Sequence, residues 1–342
     1  MQTIALHRTT IIRPFTEFLT EIGAPVNRIL RQVKLPTLAI DDPDYYISSM
    51  AFWSFVEKMA VIEGIEDLGC LVGKHNGANA VNPGYSKALK HLPSLYHALI
   101  KTCEAVSAEI SRSIMLVYSI TPGSTLFCHQ TSFGINHPNH HRMEWFAITA
   151  MIGIIQEFTG PLWRPKEIGL MSYKPVSDNA RQYLPDCRIL SGQTYAFVSI
   201  ETPLLTLPPL VKDNGIKSKV KLVSSHFGEP AIEFLGSLKQ VLPAYLEEGS
   251  PPIAIAAEMA NTSVRSLQRE LAKSKLSYLD LLAQIRFETA SRLLKGRDIR
   301  VQEIAYKLGY QDASHFARAF RRYAGMSPSE YRKSIIAKNP IT

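Results

Sequence analysis

The spacing of hydrophobic positions changes along the chain and predicts an α+β fold for its first part. Four early segments place apolar residues on one helical face, namely residues 13–22, 25–33, 48–62 and 94–110. Two β-rich runs follow, at 113–120 and 125–132, separated by the hairpin signal Thr121-Pro122-Gly123-Ser124. The pattern then predicts a long helix over 138–158, strands at 167–173 and 194–200, and a short helix at 178–183.

The remaining chain predicts a linker and then an all-α domain. Residues 206–229 contain Pro208, Pro209, Gly215 and four lysines between positions 212 and 221, a composition typical of a flexible connection. From residue 230 onward strand patterns disappear and short helical segments follow one another. We therefore predict an α+β domain at 1–205, a linker at 206–229 and an all-α domain at 230–342.

Net charge separates the same parts. Residues 1–249 contain 22 basic and 22 acidic side chains, whereas residues 250–342 contain 16 basic and 8 acidic ones. The whole net charge of +8 therefore lies near the C-terminus. A neutral part joined to a basic part is typical of a nucleic-acid-binding module attached to another domain. A solvated basic helix face is the alternative.

Cysteine spacing and apolar run lengths exclude several classes of protein. The four cysteines form no CxxC pair, which argues against a zinc ribbon or a thioredoxin-type site. The N-terminus lacks an apolar core of signal-peptide length, and the longest apolar stretch, around 146–155, is shorter than the ~20 residues that cross a bilayer. We expect a soluble cytoplasmic protein without a membrane partner or a cofactor.

An internal repeat lies within the basic region. Segment 256–261 lines up with segment 304–309, 48 residues later. Each begins as a helix with a small residue, Ala257 or Ala305, where another helix can approach closely. Each ends in Asn261 or Gly309, residues that tolerate the left-handed backbone of a tight turn.

A second helix follows each turn. Its apolar anchors lie one turn apart, at Leu267 and Leu271 in the first copy and at Phe316 and Phe320 in the second. Helix, tight turn and a helix with a basic face form the helix-turn-helix pattern. One amphipathic helix over 278–294 bridges the copies, and its length of about 25 Å suits two recognition helices near one DNA turn, ~34 Å apart.

Both copies resemble the DNA-binding domain of the AraC/XylS family. The resemblance covers roughly 238–333 and is carried by residues 263–271, 277–294, 304–310, 314–320 and 325–332. It departs from the family at Asn261 and at Lys275-Leu276, where glycine is commoner. The resemblance implies a transcriptional regulator, more commonly an activator, that binds double-stranded DNA across two adjacent major grooves and has RNA polymerase as a further partner.

The resemblance also assigns individual positions. Those implied to read bases are Arg265, Gln268, Arg269, Ala313, Ser314, His315 and Arg318. Arginine can bond guanine O6 and N7 and glutamine can pair with adenine, so the chemistry agrees independently. Positions better placed for phosphate contacts are Ser266, Lys273, Arg321 and Arg322, with a solvated helix face as the alternative.

The first domain resembles the effector domain of the OruR-like branch, over roughly residues 20–205. The segments that carry this are 82–85, 92–99 and 188–205. Because the first third is helical, it does not resemble the sugar-binding β-barrel of the arabinose regulator. The resemblance implies a small-molecule effector and a homodimer. Candidate effector contacts are Tyr85, Arg142 and Trp145.

Other patterns receive simpler interpretations. His137, His140 and His141, with His129 and Cys128 nearby, suggest the polar start of a helix rather than a metal site, since no acidic residue completes a ligand set. Residues 69–75 are one position short of phosphate-loop spacing and are interpreted as a helix end. No catalytic arrangement supports an enzyme with a helical tail. A constitutive DNA-binding regulator without effector is the other alternative.

Overall fold

The computed structural model describes residues 3–40, 42–131, 137–211, 229–296 and 299–338. Its strands are β1 (Leu6–Arg8), β2 (Tyr46–Ser48), β3 (Ser113–Thr121), β4 (Ser124–Thr131), β5 (Glu167–Gly169), β6 (Arg188–Leu190) and β7 (Ala196–Glu201). The N-terminal helices are α1 (Arg13–Glu21), α2 (Val26–Gln32), α3 (Ser49–Ile62), α4 (Leu68–Asn76), α5 (Tyr85–Leu89), α6 (Leu95–Glu109), α7 (His140–Thr159) and α8 (Asp178–Tyr183). The C-terminal helices are α9 (Phe234–Val241), α10 (Ile253–Met259), α11 (Val264–Lys273), α12 (Tyr278–Leu293), α13 (Val301–Lys307), α14 (Ala313–Ala324) and α15 (Pro328–Lys338).

The predicted α+β domain is confirmed, and its main sheet packs against α7. Five strands lie in the order β3-β4-β7-β5-β6, with β3 and β4 paired as the predicted hairpin. The apolar face of the sheet, including Phe127 and Val198, joins Ile152 and Ile155 of α7 in one core. A second core lies on the other side of α7, among α1, α3 and α4. It contains the contacting aromatic rings of Phe15, Phe52 and Phe146.

The glycines of α4 correct one sequence interpretation. Residues 69–75 are not a helix end, because α4 begins at Leu68 and contains them all. A Cβ atom on Gly69 would lie 1.8 Å from the backbone oxygen of Arg142, and one on Gly73 would lie 2.0 Å from Thr149 Oγ1. These glycines therefore allow α4 to lie directly against the backbone of α7.

The predicted all-α region is confirmed as two helix-turn-helix units joined by α12. In the first unit α10 turns into α11, and in the second α13 turns into α14. Asn261 and Gly309 both have positive φ, +47° and +78°, as the turns require. Lys275 also has positive φ, +56°, in the turn where a glycine is commoner in the resembling family.

The core of the C-terminal region extends onto β1 and β2. Leu6 and Tyr46 belong to the same buried cluster as Leu238 of α9 and Ile285 of α12. Residues 212–228 of the predicted linker lie outside the described residues. At the start of the predicted linker, the backbone oxygen of Leu207 accepts a hydrogen bond from the backbone nitrogen of Leu95 at 2.9 Å. No helix in the described ranges is long and apolar enough to cross a membrane.

Candidate DNA-binding surface and internal cavity

Helix α11 presents the first set of predicted base-reading residues to solvent. Ser263 caps the helix, since its Oγ accepts a hydrogen bond from the Ser266 backbone at 3.2 Å. Leu267 and Leu271 are buried and anchor one face of the helix. The residues that emerge on the exposed side are Arg265, Gln268, Arg269 and Lys273.

Helix α14 presents the second set in the same way. Asp312 caps it by accepting a hydrogen bond from the His315 backbone at 2.8 Å, and this bond lowers the pKa of the Asp312 carboxyl. Phe316 and Phe320 are buried beneath the helix. Ala313 is half-buried, and the exposed predicted residues are Ser314, His315, Arg318, Arg321 and Arg322.

Ion pairs distinguish the cations of these two helices. Lys273 Nζ lies 2.8 Å from Glu270 Oε2, and Arg321 Nη2 lies 3.9 Å from Glu330 Oε2. Within the described part of the chain, no acidic side chain pairs within 4 Å with the remaining arginines, Arg265, Arg269, Arg318 and Arg322. These four guanidinium groups are exposed and lie outside ion-pair distance of the described carboxylates, so they can contact an anionic partner.

Arg286 of α12 is a positioning residue whose role sequence reasoning missed. Its Nη2 donates to Ser250 Oγ at 2.8 Å, just before α10, and its Nε donates to the backbone oxygen of Leu308 at 3.3 Å, just after α13. One guanidinium therefore connects both helix-turn-helix units to the helix between them. In the sequence, the signal for this role was an arginine within the amphipathic helix that bridges the two units.

The N-terminal domain encloses a narrow, largely apolar cavity. The space in it that is accessible to a water molecule measures about 90 Å³. Helix α7 supplies one long wall, and β1, α6, β3 and β4 supply others. Apolar lining residues include Ile11, Val106, Met115, Met143, Met151 and Ile154.

Two histidines on this cavity are held neutral by burial. Burial lowers the pKa of His7 to about 3 and that of His129 to about 4. His7 Nδ1 lies 2.6 Å from Ser49 Oγ, and His129 Nε2 lies 2.7 Å from Ser113 Oγ. Both side chains therefore supply hydrogen-bonding groups but no positive charge to the cavity.

Glu144 places a carboxylate in the same cavity. Its side chain lies on α7 and is only 5% exposed. Its two oxygens accept hydrogen bonds from the backbone nitrogens of Met171 and Ser172. Burial raises its pKa to about 7, well above the usual value for a glutamate. The sequence signal for this residue was an acidic side chain directly before the apolar run of α7.

The residues predicted to contact the effector do not line this cavity. Tyr85 is fully buried and donates from its hydroxyl to Thr102 Oγ1 at 2.8 Å. Trp145 packs into the core beside the sheet. Arg142 donates from Nε to the Glu66 backbone oxygen at 2.9 Å. Their contact with an effector stays a prediction, and Tyr85 reaches the cavity only through Thr102, which does line it.

The histidine-rich segment contributes aromatic packing. The rings of His137 and His140 lie 5.6 and 6.0 Å from that of Trp53, and His141 Nδ1 lies 3.1 Å from the Pro138 backbone oxygen. In the described ranges, no group of three or more His, Cys, Asp or Glu side chains could hold a metal ion.

Replacing His7 by asparagine is expected to reduce the acid sensitivity of the protein. Because the folded-state pKa of His7 is about 3 and the unfolded value is 6.5, its stability contribution is complete above pH 6.5 and is lost as pH falls. The loss is about 1.4 kcal/mol per pH unit, or roughly 2 kcal/mol between pH 6.5 and 5. Urea unfolding at both pH values should show this smaller decrease for His7→Asn.

The same change at the exposed His97 is the control for that measurement. His97→Asn should keep the wild-type difference between the two pH values. An unchanged difference in His7→Asn would mean that His7 is not held neutral in the folded protein.

Comparisons with known proteins agree with this geometry. Residues 256–334 match the model of a family described as a helix-turn-helix domain. The regulator VirS of Mycobacterium tuberculosis is 24% identical over 340 residues, covering 97% of this chain and 98% of VirS. The ornithine utilization regulator of Pseudomonas aeruginosa is 38% identical over 84 residues, a quarter of each chain. The crystal structure of CdpR from Pseudomonas aeruginosa aligns over 90% of this chain and 96% of CdpR, with 18% identity and a TM-score of 0.37.

Two helix-turn-helix units with exposed recognition faces, together with the match over 256–334, define a DNA-binding transcriptional regulator. Over residues 256–334 the chain is similar to regulators of the AraC type.

Proposed function

We propose that this regulator responds to a small-molecule effector bound in the N-terminal cavity, and that effector binding changes how the two helix-turn-helix units meet DNA. The observation that carries the proposal is that β1 forms part of the cavity wall and also packs against the C-terminal core. A ligand in the cavity and the C-terminal core therefore contact opposite faces of one strand.

The alternation of side chains along β1 explains this double contact. Successive residues of a strand point to opposite faces. His7 lines the cavity, whereas Leu6 joins the buried cluster that contains Leu238 of α9. Just before the strand, the Ile4 backbone nitrogen donates to Ser237 Oγ of α9 at 3.1 Å. A displacement of β1 by a ligand acts directly on α9.

A second contact reaches α12, the helix between the two DNA-binding units. Arg292 Nη1 lies 3.0 Å from Asp44 Oδ2, and the Arg292 guanidinium lies 5.7 Å from the centre of the Tyr45 ring. Both partners precede β2, which pairs with β1. Lys34 forms a further ion pair with Glu258 of α10. The orientation of α12 is thus coupled to the β1–β2 ribbon, and that of α10 to the turn that follows α2.

The sense of control and the assembly state belong to the same proposal. The effector must bind one arrangement of the domains better than the other, because a ligand of equal affinity shifts no equilibrium. We take activation as the sense of control, with a homodimer on DNA and RNA polymerase as a partner. Activation is supported by the similarity to RhaR of Yersinia pseudotuberculosis, which is named a transcriptional activator. RhaR is 25% identical over 205 residues, which cover 59% of this chain and 65% of RhaR.

The DNA site of this proposal spans two adjacent major grooves. Helix α11 would enter one groove with Arg265, Gln268 and Arg269, and α14 would enter the next with Ser314 and Arg318. The exposure of these side chains supports this assignment. Ala313 and His315 lie at the start of α14, beside the Asp312 cap.

Filling the cavity tests effector control. Ala147 lines the cavity on α7, and Ala147→Phe places a ring in the space that a ligand needs. Metabolites that raise the melting temperature of the wild type, and change its affinity for an operator selected from random DNA, should do neither for Ala147→Phe. Thermal shift and fluorescence anisotropy measure the two effects.

Val61→Phe adds the same ring at a surface position that is 70% exposed, and should respond as the wild type does. An unchanged response in Ala147→Phe would place the effector site outside this cavity. A wild type whose stability and DNA affinity respond to no metabolite would support the constitutive regulator instead.

A further inference from the structure

Glu144 stands out among the buried ionisable groups because no opposite charge accompanies it. In the described ranges, no basic side chain forms an ion pair with its carboxylate. Its hydrogen-bond donors are two backbone nitrogens, those of Met171 and Ser172. A buried carboxylate without a counter-charge is costly, and a ligand that supplies the charge recovers that cost.

The other carboxylate on the cavity is already compensated. Glu109 Oε2 lies 4.0 Å from Arg8 Nε and accepts a hydrogen bond from Thr10 Oγ1 at 3.2 Å. The Arg8 guanidinium also lies 4.4 Å from the centre of the Tyr46 ring. Glu144 is therefore the negative group whose charge a ligand can complement.

Positive charge is missing from the rest of the cavity wall. None of the described lining residues is a lysine or an arginine, and burial lowers the pKa of each lining histidine, His7, His129 and His140, which disfavours the charged form. Residues 132–136, which lie outside the described part, contain no basic residue in the sequence. The described wall offers an anionic ligand no cation.

We propose that the cavity selects an apolar organic cation, an alkylamine or arylamine whose ammonium group bonds the Glu144 carboxylate while its hydrocarbon part lies along the apolar wall of α7. This inference rests on the proposed effector function of the same cavity. The ligand class follows from the lining, which combines one carboxylate that has no counter-charge with apolar side chains such as Met151 and Ile154.

The hydrogen-bonding capacity of Glu144 fits this ligand. An ionised carboxylate has about four acceptor positions, and the backbone donors occupy two of them. An ammonium group carries three donors and can use the two that remain. The pKa of about 7 also fits, because a bound cation stabilises the ionised form that burial disfavours.

Acidic ligands fit the cavity poorly. A fatty acid would place its carboxylate beside Glu144, where like charges repel. A free amino acid would satisfy Glu144 with its amine but leave its own carboxylate buried without a cation. Both classes are therefore disfavoured against an amine of the same size.

Three probes with one hydrocarbon tail test the ligand class on the full-length protein. Calorimetric titration should give an octylamine affinity about tenfold or more above that of octanol, because hydrogen bonds to charged groups are stronger than neutral ones. Octanoate should bind more weakly than octanol. Ala147→Phe should weaken octylamine binding, which ties the signal to the cavity rather than to the surface.

Two variants of α7 assign the preference to one residue. Glu144→Gln should reduce octylamine affinity about tenfold or more and change octanol affinity far less. Glu157→Gln is the matched control, since Glu157 bonds Ser86 and does not line the cavity. The wild-type probe series decides the ligand class even if Glu144→Gln does not fold.

The possible results separate the two proposals. Octanoate binding as tightly as octylamine, or failure of octylamine to bind, would overturn the cation class while leaving effector control to be judged by the metabolite response. Octylamine bound through Glu144 without any effect on DNA affinity would support the ligand class and contradict effector control. Equal octylamine affinities of wild type and Glu144→Gln would remove Glu144 from recognition.

Discussion

Gly309→Ala is expected to lower the free energy of unfolding of the C-terminal domain by roughly 2–5 kcal/mol. The turn holds Gly309 at φ +78°, a conformation that costs a residue with a Cβ about 1–2 kcal/mol. In addition, that Cβ would lie 2.2 Å from the backbone oxygen of Leu246, so one backbone segment must move. Forcing atoms into a packed site typically costs a further 1–3 kcal/mol.

Gly325→Ala separates the two contributions. Gly325 has almost the same φ, +75°, at the end of α14, but a Cβ there meets no atom within 4 Å. It should therefore cost only the backbone component, about 1–2 kcal/mol. Urea unfolding followed by circular dichroism measures both variants. Equal losses would show that the second turn does not pack against Leu246.

Arg318→Ala is expected to weaken binding to the preferred DNA site by roughly 1–3 kcal/mol and to relax selection at one base position. The reason is that Arg318 lies exposed in the middle of α14 and, within the described residues, pairs with no carboxylate. Its guanidinium is thus available for a two-donor contact with guanine. Selection from random DNA, followed by anisotropy on single-base variants, measures both effects.

Arg322→Ala provides the contrast on the same helix. A phosphate contact carries no sequence information, so its loss should weaken all DNA alike and reduce the slope of log affinity against log salt by about one. If Arg318→Ala weakened random DNA as much as the preferred site, Arg318 would be a phosphate contact. If Arg322→Ala left the salt slope unchanged, Arg322 would lie outside the interface.

The elements with long, regular patterns were predictable from the sequence. Helix α3 buries Phe52, Phe55 and Val56 as its spacing indicates, and the β3–β4 hairpin forms around the expected turn. The duplicated turns at Asn261 and Gly309 were predictable because positive φ restricts the residue type.

Other features depend on contacts between distant segments, which one sequence does not reveal. Strands β1 and β2 have only three residues each, too few to show a period of two, and they exist because they pair with each other. The glycines of α4 suggested a helix end because their partner, α7, follows some 70 residues later. The role of Glu144 was not predictable from the sequence, because the cavity takes its walls from seven separate helices and strands, namely β1, α3, α6, β3, β4, α7 and β7.

The ion pair between Arg292 and Asp44 has a consequence for measurement. It joins the helix between the DNA-binding units to the ribbon that borders the cavity, so under the proposed effector control the cavity and the DNA-binding surface exchange free energy in both directions. If the ligand changes the affinity for the operator by a given factor, the operator changes the affinity for the ligand by the same factor. Under the same proposal the DNA sequence acts as an effector of the cavity, and promoters that bind different domain arrangements respond at different ligand concentrations.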